Sequence, residues 1–225
     1  MPTAIITGAS RGLGLALARA LDADGYRLVI DARRAADLER AARDLGDVVA
    51  LAGDVTDPAH RAALVDAAGA RVDVLVNNAS TLGPSPQPPL LDYPLDGLER
   101  VYRVNVLAPL ALAQLALPRM PDGACLINVT SDAAVEAYPG WGGYGSSKAA
   151  LERLSAVLAA EHPRLRVHAV DPGDMRTRMH EEAFPGEDIS DRPEPERSVP
   201  GLLGLVHDER PSGRWRAHDV AEAHA

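Results

Sequence analysis

The chain has 225 residues, 46% of them hydrophobic and 24% charged, which is enough apolar material for one full core and the size of one domain rather than two. A net charge of -9 argues against a surface for nucleic acid or anionic lipid, since either needs clustered Lys and Arg on a basic balance. No run of about 18 apolar residues marks a membrane span, and "MPTAIITGAS" lacks the basic start and long apolar stretch of a signal peptide, so the expected location is the cytoplasm.

In chain order, "TAIIT" reads as a strand and leads through "TGASRGLG" into the helical "GLALARALDADG". "RLVID", "DVVALAG" and "VDVLVNN" read as further strands, separated by the helical segments "AADLERAARDLG" and "PAHRAALVDAAG". One long helix is predicted over "LDGLERVYRVNVLAPLALAQLALP", followed by the strand "ACLINVT", the helix "GSSKAALERLSAVLAAEH" and the strand "RVHAVDPG". "FPGEDISDRPEPERSVP" is rich in Pro and charge and predicts a mobile loop, a substrate lid within residues 174–200, before a last strand in "SGRWRA".

The strand segments are continuously apolar, as in strands covered on both faces, while the helical ones repeat apolar residues every three or four positions. Such βαβ repetition predicts an α/β fold: a single-domain, Rossmann-type, doubly wound parallel sheet over residues 1–225, with helices on both faces. Its ligands bind beyond the carboxyl ends of the strands. Cys125, the sole cysteine, excludes a disulfide framework and sits in apolar "ACLINV" as an inert buried thiol; the histidines show no metal-ligand spacing, so no metal is expected.

Gly8, Gly12 and Gly14 in "TGASRGLG" allow a tight turn, a close backbone approach to a pyrophosphate, and a helix whose first amides face the phosphates. Lys148 is the single lysine among 23 basic residues. It lies four positions after Tyr144 in "YGSSK", which places both on one helix face. A phenol titrates near pKa ~10 and serves as an acid or base at neutral pH only where a cation favours its phenolate. Lysine is compact enough to sit beside it and still donate to a ribose hydroxyl, where the arginine fork would disturb both contacts. Asparagine is also scarce: Asn77 and Asn78 end the fourth strand, Asn105 interrupts an apolar helix, and Asn128 reads as structural. Ser146 and Ser147 read as packing or capping residues.

The spacing TGxxxGxG, with "NNAS", "YGSSK" and "DPGDMRT" in register over nearly the whole chain, resembles the short-chain dehydrogenase/reductase family. The resemblance implies an oxidoreductase in which Tyr144 exchanges the proton and Ser131, thirteen residues before it, holds the substrate oxygen. Lys148 then lowers the tyrosine pKa, and Asn105 holds a relay water through a helix bent near Pro109. It also implies coenzyme contacts from Gly8, Ser10, Arg11, Gly12, Leu13 and Gly14, from Asp54 and Val55, from Asn78 and Ala79, from Tyr144 and Lys148, and from Pro172, Gly173 and Thr177. The family's NAD-type acid position is held by Ala32; Asp31 comes one residue early and points elsewhere, while Arg33 and Arg11 suit a 2′-phosphate. NADP(H) is therefore favoured over NAD(H), with Asp31 keeping NAD(H) open.

Two departures stand out: Ser80 replaces the last glycine of the family's NNAG, and the C-terminus lacks the family's usual glycine pair. Ser131, Tyr138, Trp141, Met175 and Met179 are the candidate substrate contacts, with Leu82 and Val135 as further apolar residues; they suggest a partly apolar carbonyl or alcohol. A non-catalytic NADP(H) sensor and an epimerase or dehydratase are the alternatives. The two long apolar helices suggest a homodimer or homotetramer.

Overall fold

The computed structural model describes residues 1–223. Seven parallel strands form one sheet in the order β3-β2-β1-β4-β5-β6-β7, with β1 Thr3–Ile6, β2 Arg27–Ala32, β3 Val48–Ala52, β4 Val74–Asn77, β5 Cys125–Val129, β6 Arg166–Asp171 and β7 Gly213–Arg216. Every strand expected from the sequence is present, including the last. The helices are α1 Gly12–Ala23, α2 Ala35–Ala42, α3 Pro58–Ala68, α4 Leu95–Tyr102, α5 Ala108–Ala116, α6 Gly142–Glu161, α7 Arg178–Ala183, α8 Val199–His207 and α9 Ala217–Glu222. The chain runs outward from β1 to β3, then returns to place β4 on the other side of β1. That reversal opens a crevice above the ends of β1 and β4.

Successive side chains of each central strand enter opposite layers. Ile6, Val76 and Ile127 pack with Leu17, Leu21, Leu202 and Leu205, whereas Ile5, Leu75 and Leu126 pack with Leu64, Leu112 and Val167. Both faces are thus apolar, which is why the strands read as unbroken hydrophobic runs. Each such buried side chain contributes on the order of 1.5–3 kcal/mol from burial. The Cys125 thiol lies fully inside, and burial pushes its pKa up to about 12.

The long helix predicted after β4 is two helices joined by a π turn, Arg103–Leu107. Ala108 donates to the carbonyl of Arg103 there, and Pro109, lacking an N–H, cannot bond the Asn105 carbonyl one α-turn back. As one stretch, Leu95–Arg119 is 25 residues long with a mean hydropathy of 1.3, long and apolar enough for a bilayer despite the absence of such a run in the raw sequence. In the fold it packs on the sheet with Asn105 fully buried at its middle. The predicted lid also carries structure: α7 lies within it, Arg176 donates its amide to Pro193 (2.8 Å), and the Ser198 hydroxyl donates to the Pro172 carbonyl (2.8 Å).

Candidate active site

A cavity of about 1160 Å³ fills the crevice above β1 and β4. Its floor begins at the glycine loop, where Gly8 has φ +68° and a Cβ added there would stand 2.9 Å from the Cα of Ala79. Thr7 and Asn78 sew the two strand ends together: Asn78 donates its side-chain amide to the carbonyls of Thr7 (2.9 Å) and Gly8 (3.1 Å), and the Thr7 hydroxyl accepts from the amides of Asn78 and Ala79, both at 3.0 Å. Gly14 does not line the cavity. A Cβ there would lie 2.5 Å from Asn78 Nδ2 and 2.7 Å from the Gly8 carbonyl, so this glycine permits the loop to close and the expected coenzyme contact is corrected to a packing role.

Ser10, Arg11, Gly12 and Leu13 line the wall at the start of α1, and Arg11 is extended and places no side-chain cap on the helix. The first-turn amides of α1 are left to a ligand, as an anion site requires. Farther along, Arg33, Asp54 and Val55 form the end where an adenosine would lie. Burial raises the Asp54 pKa, but the amide and hydroxyl of Thr56, both at 2.8 Å, together with the charges of Arg33 and Arg100, hold the carboxyl below its usual range. Arg34 leans to Asp37 at 3.9 Å. Asp31 faces the Gly8 amide, to which its Oδ1 accepts at 2.7 Å.

At the opposite end, β5 delivers Ser131 and α6 delivers Tyr144 and Lys148, the last two only 7% and 2% exposed. Lys148 donates to the Val129 carbonyl (2.8 Å), and its Nζ lies 5.4 Å from the Tyr144 ring centre. Burial lowers the Lys148 pKa to about 7. Burial also raises that of Tyr144, and Asp171 and Asp132 add to the rise while the hydroxyls of Ser131 and Ser80 oppose it. Lys148 is not among the groups that lower it, contrary to what the resemblance implied, so the tyrosine is held as a neutral phenol, the form that can give up a proton. Ser131 donates to Asp132 Oδ1 (2.8 Å) and accepts from the Ala133 amide (3.2 Å).

Asn105 is fully buried and its side chain lies behind the cavity wall. Its Oδ1 accepts from the Ser80 hydroxyl (3.1 Å) and the Thr81 amide (2.9 Å), while its Nδ2 donates to the Thr81 carbonyl (2.9 Å) and Ser147 Oγ (3.0 Å). With four bonds made, the amide has no capacity left for a water. Ser147 in turn donates to the Tyr144 carbonyl (2.6 Å), which makes it a link from Asn105 to the tyrosine as well as a packing residue. Asn128 is structural as read, accepting from Asn77 and donating to Ser155, both at 2.8 Å.

The remaining wall is aromatic and aliphatic. Trp141 meets Tyr144 edge-on (5.8 Å, 74°) and Phe184 at 5.6 Å, with Leu82 and Met179 beside them and Met175 nearer the coenzyme end. Tyr138 and Val135 do not line it. They are 44% and 56% exposed, and the Tyr138 hydroxyl donates to Asp132 Oδ2 (3.0 Å). Pro172, Gly173 and Thr177 close the site from β6, and Thr177 Oγ1 accepts from the His180 amide (3.3 Å) to cap α7.

Two residues not singled out in the sequence, Arg214 and Glu152, bear on Ser131. Arg214 on β7 donates to Glu152 Oε1 (2.9 Å), to the Ser131 carbonyl (3.3 Å) and to Asp171 Oδ2 (3.4 Å), and Thr130 donates to the same Glu152 oxygen (2.8 Å). Glu152 follows Lys148 by four positions, so helical spacing alone placed it on that face. Arg214 had no such signal.

The family model described as short chain dehydrogenase matches residues 2–188. The chain belongs to the short-chain dehydrogenase/reductase family. This family member is therefore an oxidoreductase of CH–OH and C=O groups, and its glycine loop, in which the crowded Gly8 and Gly14 leave room for backbone alone, fits a nicotinamide dinucleotide. It is 36% identical to the rhamnolipids biosynthesis 3-oxoacyl-[acyl-carrier-protein] reductase of Pseudomonas aeruginosa, over 78% of this chain and 73% of the relative. It is 31% identical to the NADPH-dependent aldehyde reductase-like protein, chloroplastic, of Arabidopsis thaliana, over 96% and 83%. Among solved structures, a short chain dehydrogenase from Shigella flexneri complexed with NADP superposes with a TM-score of 0.88 at 27% identity, over 96% of this chain and 97% of that one.

Proposed function

We propose that this protein is an NADP(H)-dependent carbonyl reductase acting on a partly apolar small molecule. The observation that carries this is the buried Tyr144 hydroxyl, acted on by the hydroxyls of Ser131 and Ser80 with Lys148 one helical turn away, in the same cavity as Arg11 and Arg33. When bound, the coenzyme supplies the hydride. Ser131 turns its hydroxyl from Asp132 to the substrate oxygen and stabilises the negative charge developing there. Tyr144 gives that oxygen its proton. Lys148, released from the Val129 carbonyl to the ribose, stabilises the phenolate left behind.

Asn105 acts through position: its side chain locks the 80–81 loop to α6, and its backbone carbonyl, freed beside Pro109, is the group that holds a relay water. Trp141, Met179 and Leu82 set the apolar part of the pocket, and the 174–200 segment acts as its lid. The cluster of Arg33, Arg100 and Arg11 near the adenosine end, with Ala32 in place of an acid, supports 2′-phosphate recognition, as do the NADP-bound neighbour and the NADPH-dependent relative. Leu107, Leu115 and Val157, 55%, 41% and 43% exposed on the α5 and α6 side, support a homo-oligomer built on those helices, which the mass in solution tests.

The deciding experiment follows NADPH consumption against a panel of ketones, aldehydes and quinones. Wild type turns over at least one of them, and Tyr144→Phe, which keeps the ring and loses the proton, falls by about 10²–10⁴-fold. Unchanged turnover in that variant would overturn the assignment of Tyr144.

A further inference from the structure

Asp31 stands immediately before Ala32, the position from which an acid would reach an adenosine ribose, yet it is only 1% exposed and both of its oxygens are engaged. Oδ1 accepts from the Gly8 amide at 2.7 Å, and Oδ2 lies 3.0 Å from His60 Nε2, a residue of α3 that is itself 9% exposed. A carboxylate only accepts, so the imidazole hydrogen sits on Nε2. The Asp31 carbonyl accepts from the Ala9 amide at 2.8 Å as well. One residue thus holds two successive amides of the glycine loop.

The ring is given its place by Gly53. A Cβ at that position would lie 2.2 Å from His60 Nδ1, so the glycine at the end of β3 is the space the imidazole occupies. Nothing in the reduction itself calls for His60. Its contacts are with Asp31 and with the chain beside Asp54, at the adenosine end of the cavity.

We infer that His60 withholds Asp31 from the adenosine ribose and commits it to the glycine loop, which makes His60 a positioning residue that sets the preference for a 2′-phosphate. A free carboxylate at this place would accept from a 2′-hydroxyl and repel a 2′-phosphate. Tied down on both oxygens, it does neither, and the arginines decide the choice. This rests on the reading of the site as one for NADP(H).

The test is the dissociation constant of NADPH and of NADH for wild type, His60→Leu, His60→Gln, Asp31→Asn and the His60→Leu/Asp31→Asn double variant, each checked for cooperative melting. His60→Leu is expected to lower the NADPH-over-NADH preference by about tenfold, because the released acid opposes a like charge. His60→Gln, which retains a donor, keeps the wild-type preference, and so does Asp31→Asn, which keeps an acceptor for the Gly8 amide and has no acid to release. The double variant regains it, since no acid remains to be released. Should His60→Leu fail to fold, His60→Phe removes the donor while keeping a ring against Gly53. An unchanged preference in the Leu or Phe variant overturns the proposal, as does a shift of the same size in Asp31→Asn alone, which would mean that Asp31 already reads the ribose. A wild type that prefers NADH would instead sink the NADP(H) assignment, and the fall in preference caused by His60→Leu would still report on the pair.

Discussion

Lys148 sets activity against stability. Its ammonium ordinarily titrates near pKa ~10.4, and burial lowers it to about 7 in the folded protein. Between those two values the unfolded chain binds the extra proton, so this group makes stability rise with pH from about 7 toward 10, and its neutralisation penalises the fold most at the acid end of that window. Lys148→Met is expected to flatten that slope in urea melts taken between pH ~7 and ~9.5, while abolishing turnover. An identical slope in wild type and variant would refute the burial account. At this scale the sequence was most legible where scarcity met spacing, as in one lysine four positions from a tyrosine. Ser80 was visible as a departure from NNAG, but its bond to Asn105 was not, because 25 residues separate the two hydrogen-bonding groups. Tyr138 stays off the cavity wall for a related reason: an aromatic residue in a loop can turn to either side, and here it is 44% exposed with its hydroxyl on Asp132.

Helices and strands followed from their periodicity, and the glycine loop from its residues. The break in the long helix did not. Asn105 and Pro109 marked a disturbance, yet periodicity cannot distinguish a bend from the extra residue of a π turn, within which Asn105 bonds to Ser80, Thr81 and Ser147 across the fold. The start of α6 shows how one element depends on another. A Cβ on Gly145 would stand 2.5 Å from the Ala133 carbonyl, in the turn that follows Ser131. Gly145→Ala is therefore expected to cost about 1–3 kcal/mol of stability through overpacking. It also pushes the Ser131 turn away from Tyr144, so that kcat falls with coenzyme affinity unchanged. Parallel measurement of the melting midpoint, kcat and the NADPH dissociation constant checks this; loss of affinity without loss of kcat would contradict it.

For the molecule as a whole, coenzyme and fold share one free energy, because the cavity wall draws on β1 through β6. NADPH at about 100 times its dissociation constant adds ~2.7 kcal/mol, which raises Tm by roughly 5–10 °C in a domain of this size. NADH at the same concentration raises it less, and an equal rise with both would count against a 2′-phosphate preference. The parallel topology was legible from βαβ alternation, whereas the tie from Arg214 to the Ser131 carbonyl spans 83 residues and belongs to no local pattern. Strand order has a further consequence. The glycine loop, Asp31, Arg33 and Asp54 hang from β1, β2 and β3, on one side of the crevice, while Ser131, Tyr144, Lys148 and the segment after β6 hang from the other. The chain passes from the first set to the second once, through β4. On the proposed reading, the groups that would tell one coenzyme from another and those that would hold the substrate oxygen are thereby written in separate stretches of sequence, and each can drift under selection without rewriting the other.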